Sequence, residues 1–505
     1  MALSKAQTRD ILFHTHAYIG IGVTVLFYIA LFFGTLSMVA PYIALWEKPS
    51  RHLSAPAHYD IDAIVTPLLT ENAWPEYGVR ITLPSHKDPL LSLGHRLMDA
   101  IHVNPYSGAV VKDEGSALRD LVVDLHLGRV LGRPGVFLMG VACVGALFLI
   151  LNGWWLSFKR NSSRAPLWKL RPKSQERLHR LFSQILSPLM LILALTSAYF
   201  GVMFTIGGGL AYGITKGEAT MIQRVLGPVV FPKVAPLPKS DTPSSMQSLN
   251  SLLEKARENH PHITIQTLTL ERWGFEDAKV TFSGPLTQKP YLTERINHLS
   301  ISFKGSDGTL VHKQEIEEVH WIKKALSVFY FLHFISDTEA FFRLFLFVLG
   351  VGLCVSVIAG AWVFVHKRLN NPNTQGAAYL WSLLFIGTFL GSLIATAVAF
   401  LAQWLLPFGM EERSTWTEGL FYLSWLATFA YASHTRHYRT SLWQLSCLSG
   451  VLLCAVPLIH GIQSGYFLPQ ALGSGLIGIA LVDGLMGALG LAMLFFGLTL
   501  RRKIS

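Results

Sequence analysis

Long apolar runs, separated by polar segments, constrain this chain more than any other feature. A helix needs about 20 apolar residues to cross a bilayer. Eight segments meet this requirement, and they cover residues 17–41, 135–158, 182–206, 340–365, 378–406, 416–433, 441–461 and 473–499. Only 14% of the 505 residues are charged, whereas about 25% is usual in soluble proteins. The sequence therefore predicts a mainly α-helical membrane protein with eight transmembrane helices.

Basic residues mark one side of the predicted bundle. If the chain has eight spans, the N-terminus, the segment 158–180 and the residues after the fourth, sixth and eighth spans all lie on one side of the membrane. Each of these places contains basic residues. The residues are Lys5, Arg9, Lys159, Arg160, Arg164, Lys169, Arg171, Lys173, Arg177, Arg180, Lys367, Arg368, Arg436, Arg439, Arg501, Arg502 and Lys503. The positive-inside rule makes that side cytoplasmic. We therefore expect both termini inside, a lipid bilayer as the surroundings and no nucleic-acid partner.

Two long segments, 42–134 and 207–339, would then face outward. Each contains a candidate helix, at about 60–71 and 245–259, before a candidate hairpin. The first hairpin is "MDAIHVNPYSGAVV" at 98–111, and the second is "NHLSISFKGSDGTLV" at 297–311. Both have strand-like runs on either side of a turn sequence that ends in glycine. We predict two small α+β modules on the outer side.

The order of these elements repeats in the first part of the chain. A helix with a histidine at its start, an outer module and a second such helix precede each cytoplasmic segment, over roughly 160 residues. The predicted domains are the first span within 1–41, the first module at 42–134, the second span at 135–158, a basic loop at 159–181, the third span at 182–206, the second module at 207–339, the fourth span within 340–368, and an appended four-helix unit at 369–505. The appended unit does not follow the repeat.

Four histidines lie where the repeated apolar runs begin. They are His16, His126, His179 and His333. Because successive spans cross the bilayer in opposite directions, His16 and His179 should lie near one face, and His126 and His333 near the other. A single histidine at such a position is often only an interfacial residue. Four at equivalent positions favour a function, since ionisable residues beside apolar spans are costly.

Other histidines near the spans offer alternatives. His14 lies two residues before His16 and projects about 200° away from it on a helix, so both cannot bind one metal ion from one side. His366 ends the fourth span on the cytoplasmic side and could replace either inner histidine. The appended unit contains further histidines, for which interfacial positions are the simpler expectation. They are His434, His437 and His460.

The first two thirds of the chain resemble the PepSY-associated transmembrane family, which includes iron-regulated membrane proteins and periplasmic ferric-siderophore reductases. The resemblance covers residues 8–368 and rests on an ordered set of short motifs. They are "HAYIG" at 16–20, "NPYSGAVV" at 104–111, "LHLGRVLGRPG" at 125–135, "LHRLFSQILSPLMLILALTSA" at 178–198 and "FLHF" at 331–334. The chain departs from the family at Ala17, where arginine is common. The appended helices lie outside the resemblance.

The resemblance implies a transmembrane ferric reductase with two b-type haems in the inner membrane of a bacterium. Haem iron accepts two neutral imidazoles as axial ligands. His16 and His179 would bind an inner haem, and His126 and His333 an outer haem. The electrons would come from a cytoplasmic donor or a membrane quinol, and the acceptor would be a periplasmic ferric siderophore or another ferric chelate. Candidate partners of the haem propionates are Arg9 and Arg180 inside, and Arg129, Arg133 and Arg343 outside.

Two other classes of function remain open from the sequence. One is a non-enzymatic membrane sensor or peptidase-regulating protein, whose outer modules bind a protein partner. The other is a permease that carries a substrate through the appended helices. Proton-coupled transporters usually have acidic residues inside their spans. Asp483 is the main such residue here, and we expect it to pair within the bundle or to lie near an interface.

Overall fold

The computed structural model describes residues 4–112, 118–158, 174–218, 237–287, 298–315, 319–334, 340–435 and 437–503. Most of the predicted basic loop, residues 159–173, and Arg436 lie outside the described residues. The chain forms two compact units. The helical unit comprises Met1–Glu47, Gly115–Gly207 and Thr338–Ser505, and the sheet unit comprises Lys48–Glu114 and Gly208–Asp337.

Helices dominate the described chain. In chain order they are α1 (Lys5–Ser37), α2 (Ala40–Trp46), α3 (Ile61–Glu71), α4 (Leu118–Leu127), α5 (Gly132–Phe158), α6 (Gln175–Ile214), α7 (Leu249–Asn259), α8 (Trp321–Phe334), α9 (Ala340–Leu369), α10 (Gln375–Leu405), α11 (Arg413–His434), α12 (Tyr438–Ser464), α13 (Leu468–Gly473) and α14 (Ile477–Arg501). Helix α4, which carries His126, belongs to the helical unit although the sequence placed it in the first outer module.

Seven of the described helices are long and apolar enough to cross a membrane, namely α1, α5, α6, α9, α10, α12 and α14. The chain is therefore a multi-pass membrane protein. Helix α11 has 22 residues and covers the sixth predicted span. It is not among the seven candidates, because polar residues interrupt its apolar sequence "RSTWTEGLFYLSWLATFAYASH". Eight spans with both termini inside remain a prediction.

Helix α10 forms the centre of the helical unit. In its most apolar stretch 78% of the residues are buried by other parts of the protein, whereas the value for α6 is 28%. The repeated part of the chain reaches this centre through α1. The Tyr28 hydroxyl donates to the Phe389 carbonyl across 3.3 Å, and the Tyr28 and Phe389 rings are 4.5 Å apart. The repeated and appended helices thus share one buried core.

The sheet unit contains one antiparallel sheet of eight strands in the order β4-β3-β2-β1-β5-β6-β7-β8. The strands are β1 (Tyr77–Thr82), β2 (Leu91–His95), β3 (Met98–Val103), β4 (Val110–Val111), β5 (Thr267–Glu271), β6 (Lys279–Gly284), β7 (Leu299–Lys304) and β8 (Leu310–Lys313). The two segments predicted as separate modules each supply four of these strands, preceded by one helix, α3 in the first segment and α7 in the second. Pairing of β1 with β5 joins them into one sheet.

Both predicted hairpins are confirmed as β3–β4 and β7–β8. Each turn ends in a glycine with a left-handed backbone, at Gly108 (φ 70°) and Gly308 (φ 73°). The backbone hydrogen bonds match as well, because Gly108 N–H donates to the Asn104 carbonyl and Gly308 N–H donates to the Lys304 carbonyl. Only glycine adopts this conformation without a steric cost. The two halves therefore repeat even in their turn chemistry.

The two halves also meet at a buried arginine. Arg272 follows β5, and its side chain is only 3% exposed. Its Nε lies 2.8 Å from Asp277 Oδ2, and its two terminal nitrogens lie 2.5 Å from Glu76 Oε2 and 2.6 Å from Asp241 Oδ1. Buried guanidinium groups are stable only when several acceptors surround them. Since Glu76 lies just before β1, this cluster links the start of β1 in the first half to the end of β5 in the second.

Replacing Arg272 with methionine should lower the unfolding temperature of the protein, because the buried Asp277 would lose its cation. The hydrogen bond from Arg272 lowers the pKa of Asp241 below its usual value. A lowered carboxylate pKa stabilises the fold at neutral pH, and the contribution is lost as the pH falls through that pKa. The difference from wild type should therefore shrink on acidification. Thermal unfolding at pH 7 and pH 4 tests this.

The control for this substitution is Arg257→Met. Arg257 is 54% exposed and pairs with Glu254 on its own helix, an arrangement that contributes little to stability. An equal loss of stability in both variants, or a larger deficit of Arg272→Met at low pH, would contradict the assignment.

Candidate functional site

The predicted inner histidines lie side by side in the helical unit. The ring centroids of His16 on α1 and His179 on α6 are 6.4 Å apart, with an interplanar angle of 64°. His179 Nδ1 is 2.9 Å from the Ser356 carbonyl of α9. Since a carbonyl only accepts, Nδ1 carries the proton and Nε2 has the free electron pair. The structure therefore brings together the two histidines that the sequence pairs on the inner side.

A glycine on α9 lets His179 approach the helix backbone. A Cβ on Gly360 would lie 2.9 Å from His179 Nδ1 and 3.0 Å from its Cε1, which is closer than carbon atoms pack. Gly360 lies four residues after Ser356, so its missing side chain exposes the carbonyl that the imidazole binds. The ring is thereby fixed in place by one hydrogen bond and one close contact.

His126 has the same environment on a different helix. Its Nδ1 lies 2.8 Å from the Ala30 carbonyl of α1. A Cβ on Gly34, again four residues after the carbonyl, would lie 2.9 Å from Nδ1 and from Cε1 of this ring. Burial lowers the pKa of His126 below its ordinary value, so the ring is neutral at pH 7. Metal-bound histidines are commonly oriented by such a bond from the other ring nitrogen to a backbone carbonyl.

His16 differs from these two histidines. It lies against Gly153 of α5, where a Cβ would be at an ordinary contact distance of 3.6 Å from His16 Cε1. Its Nδ1 is buried and has no hydrogen-bond partner within the described ranges. A buried polar atom without a partner is unusual in a folded protein. This nitrogen is therefore a candidate for contact with a bound group.

His333 lies near the end of α8 in the sheet unit, where its ring contacts Phe334 at 5.0 Å. His126 belongs to the helical unit. The predicted pairing of His126 with His333 therefore remains a prediction.

The two competing histidines have other contacts. The His14 side chain is 57% exposed, and its Nε2 lies 3.6 Å from Asp10 on the same helix. His366 Nδ1 lies 2.6 Å from the Gln175 side-chain oxygen. It is His16, and not His14, that lies against His179. The geometry favours His16 and His179 as the inner pair.

The candidate arginines fall into two groups. Arg343 is buried and donates to the Met38 carbonyl across 2.7 Å. The Arg180 side chain is only 16% exposed, and its Nη1 is 4.0 Å from the Glu176 carboxylate. The others are exposed, and they are Arg9, Arg129 and Arg133. Among these five candidates, Arg180 and Arg343 are the two that are largely buried.

Trp46, His460 and Asp483 form a second buried polar cluster, and the sequence did not predict which residues Asp483 would contact. Asp483 accepts a hydrogen bond of 2.8 Å from Trp46 Nε1 and lies 2.7 Å from His460 Nδ1. His460 is completely buried, so its expected interfacial position is wrong. The expected pairing of Asp483 within the bundle is confirmed. Its partners are distant in sequence, and a single sequence carries no signal that would identify them.

Comparison with known families gives a match over most of the chain. The family model described as the PepSY-associated TM region matches residues 13–367, which is more than two thirds of the chain. The matched range contains all four predicted histidines and ends before the appended helices. No curated protein matches the chain.

The glycine contacts make a prediction about stability. Alanine in place of glycine inside a helix usually stabilises it by about 0.5–1 kcal/mol. Gly22→Ala on α1 should do so, because no atom lies within 4 Å of its new Cβ. Gly34→Ala and Gly360→Ala should instead lower the unfolding temperature, since each Cβ would displace an imidazole from its carbonyl. Thermal unfolding in detergent measures all three, and equal effects would contradict the proposed contacts.

Proposed function

We propose that this chain, which belongs to the PepSY-associated transmembrane family, carries electrons across a bacterial inner membrane on two b-type haems. His16 and His179 would hold the inner haem, and His126 and His333 the outer haem. Eight spans with both termini in the cytoplasm would place the sheet unit in the periplasm. The acceptor would be a ferric siderophore or another ferric chelate, which would release iron(II) after reduction.

The observation that carries this proposal is the spacing of the inner pair. Two imidazoles that bind one metal ion through bonds of about 2 Å place their ring centroids roughly 6 Å apart. The His16 and His179 centroids are 6.4 Å apart. The two rings come from different helices, as a plate-like cofactor between helices requires. His16 and His179 therefore fit as the two residues that would hold one haem iron.

The orientation of the rings supports the same assignment. His179 and His126 each use Nδ1 to donate to a helix carbonyl, which leaves the Nε2 electron pair available, so that Nε2 would bind the haem iron. A haem with both axial positions filled by imidazole transfers single electrons and leaves no open site for oxygen. The chain's own task is to keep the imidazoles neutral, fixed and shielded from water.

The buried arginines suit the haem carboxylates. Arg180 directly follows His179 in sequence and is mostly buried. Arg343 lies in the first turn of α9 and is 4% exposed. A guanidinium group can bind a propionate with two parallel hydrogen bonds. We assign Arg180 to the inner haem, with Arg9 as a second cation, and Arg343 to the outer haem, with Arg129 and Arg133.

Reduction of the chelate needs no general acid or nucleophile. Hard oxygen ligands bind iron(III) more strongly than the softer iron(II), so one electron is enough to weaken the complex. The protein would have to bring the chelate near the outer haem and supply the electron. Either a cytoplasmic donor or a membrane quinol would reload the inner haem.

Histidine variants test the proposal. Wild type should show a b-type reduced-minus-oxidised spectrum with two components in a redox titration. His16→Ala and His179→Ala should lose the same component, about half of the signal, and His126→Ala and His333→Ala should lose the other. His14→Ala is the matched control, because this exposed histidine is two residues from His16, and it should retain both components.

Three results would contradict this assignment. A wild-type protein without haem would favour a sensor or a permease. Loss of both components, or of neither, in the single variants would reject the pairing. Haem-loaded protein in liposomes that cannot reduce an external ferric chelate when electrons are supplied inside would reject the reductase activity.

A further inference from the structure

Three candidate spans of the helical unit meet at one end around His366. Gln175 is the first residue of α6, His366 lies in the last turn of α9, and Tyr438 is the first residue of α12. His366 Nδ1 is 2.6 Å from Gln175 Oε1. The His366 and Tyr438 ring centroids are 6.4 Å apart. We call this set, together with Trp362 and Arg439, the His366 cluster, and it joins the repeated helices to the appended ones.

The cluster places an imidazole, an amide, a phenol hydroxyl and a guanidinium group at the ends of apolar helices. Because Gln175 Oε1 accepts from His366 Nδ1, the basic nitrogen of this imidazole is Nε2. The Gln175 amide nitrogen remains a donor. Arg439 adds a cation, and its Nε donates to the Tyr438 hydroxyl across 3.1 Å. A ligand that meets this cluster therefore finds a proton acceptor and hydrogen-bond donors together.

Flat aromatic surfaces surround these polar groups. Trp362 lies 5.6 Å from the His366 ring at 36° and 5.9 Å from the Tyr438 ring at 32°. The His366 imidazole therefore has a largely buried aromatic ring beside it, an apolar neighbour of the kind that aromatic ligands contact. Helix α6, which supplies Gln175, has only 28% of its most apolar stretch buried by other parts of the protein. A flat, amphipathic ligand dissolved in the membrane fits this chemistry.

The cluster is close to the inner histidines along the chain. Gly360, which contacts the His179 ring, lies six residues before His366 on α9, or about 9 Å along the helix axis. On the same helix, the ring centroid of Phe364 lies 6.3 Å from that of Tyr18 on α1. Tyr18 is two residues after His16. A ligand at the His366 cluster would therefore be near the inner end of the proposed electron path.

We propose that the His366 cluster binds the head group of a membrane quinol and is the place where electrons enter the protein. The assignment rests on the proposed function, since it names the donor of the inner haem. Oxidation of one quinol to the quinone would release two electrons and two protons. The electrons would reduce haem iron(III) one at a time. His366 Nε2 would accept the first proton, and water at the membrane edge the second.

The site also accounts for a contact of the appended helices. Tyr438 and Arg439 begin α12, which lies beyond the matched family region. Without them the cluster would retain His366, Gln175 and Trp362 but would lose one cation, Arg439, and one aromatic ring, Tyr438. A soluble cytoplasmic electron carrier is the competing donor, and it does not require the aromatic rings.

Binding is tested with a short-chain ubiquinone and the purified full-length protein. Quenching of tryptophan fluorescence should show saturable binding to wild type. His366→Ala should weaken it by about tenfold or more, the effect of losing one strong hydrogen bond. Tyr438→Phe should weaken it less. The control is His434→Ala, an exposed histidine of α11, which should bind as wild type does.

Electron entry is tested by mixing the oxidised protein with the short-chain ubiquinol and following haem reduction. His366→Ala and His366→Gln should slow this reduction by about tenfold or more, while dithionite reduces both variants to the wild-type spectrum. Unchanged quinone binding and unchanged quinol rates in His366→Ala would overturn the proposal. Loss of the inner haem spectrum in that variant would also overturn it, because His366 would then be an iron ligand.

The two proposals fail in different ways. A wild-type protein without haem would reject the proposed function, and quinone binding, measured by fluorescence on the same protein, would still test the site. A wild-type protein that contains haem but binds no quinone, and is reduced only by a soluble flavin donor, would reject the quinol site and leave the haem assignment standing.

Discussion

The contact of an imidazole with a glycine on a neighbouring helix is the interaction on which the helical unit depends. Inside an apolar bundle a polar side chain must find its partner within the protein. At His126 and His179 the partner is a helix carbonyl four residues before a glycine, Ala30 with Gly34 and Ser356 with Gly360. The glycine makes the approach possible, and the hydrogen bond fixes the ring. The same tertiary contact thus occurs twice in the helical unit, at two histidines that are not equivalent in the internal repeat.

The structure gives the appended helices a place in this arrangement. Trp46, the last residue of α2, donates a hydrogen bond to Asp483 of α14. Glu47 directly follows Trp46, and its backbone carbonyl accepts a hydrogen bond of 2.7 Å from the Gln403 side chain of α10. The Glu47 carboxylate in turn accepts from the Arg119 backbone N–H, 3.1 Å away in the first turn of α4. Carboxylates stabilise helix N-termini. The appended helices therefore hold α2, and α2 caps the helix that carries His126.

The sequence predicted features that depend on local pattern. Hydropathy located the seven helices that can cross a membrane, and glycine-ended turns located both hairpins. The equivalent positions of His16 and His179 predicted their contact. Joining of the two modules through β1 and β5 was missed. Partners such as Asp483 and His460, or Arg272 and Glu76, were also missed, because contacts between distant residues leave no periodic signal in one sequence.

The most direct test of the central claim is the amount of haem b in the purified protein. The pyridine haemochrome absorbance, divided by the protein concentration from amino-acid analysis, gives the number of haems per chain. The four histidines predict two b-type haems per polypeptide. A preparation from cells with sufficient haem that contains none would contradict the account. One haem per chain that survives His16→Ala and His179→Ala would contradict the inner pair.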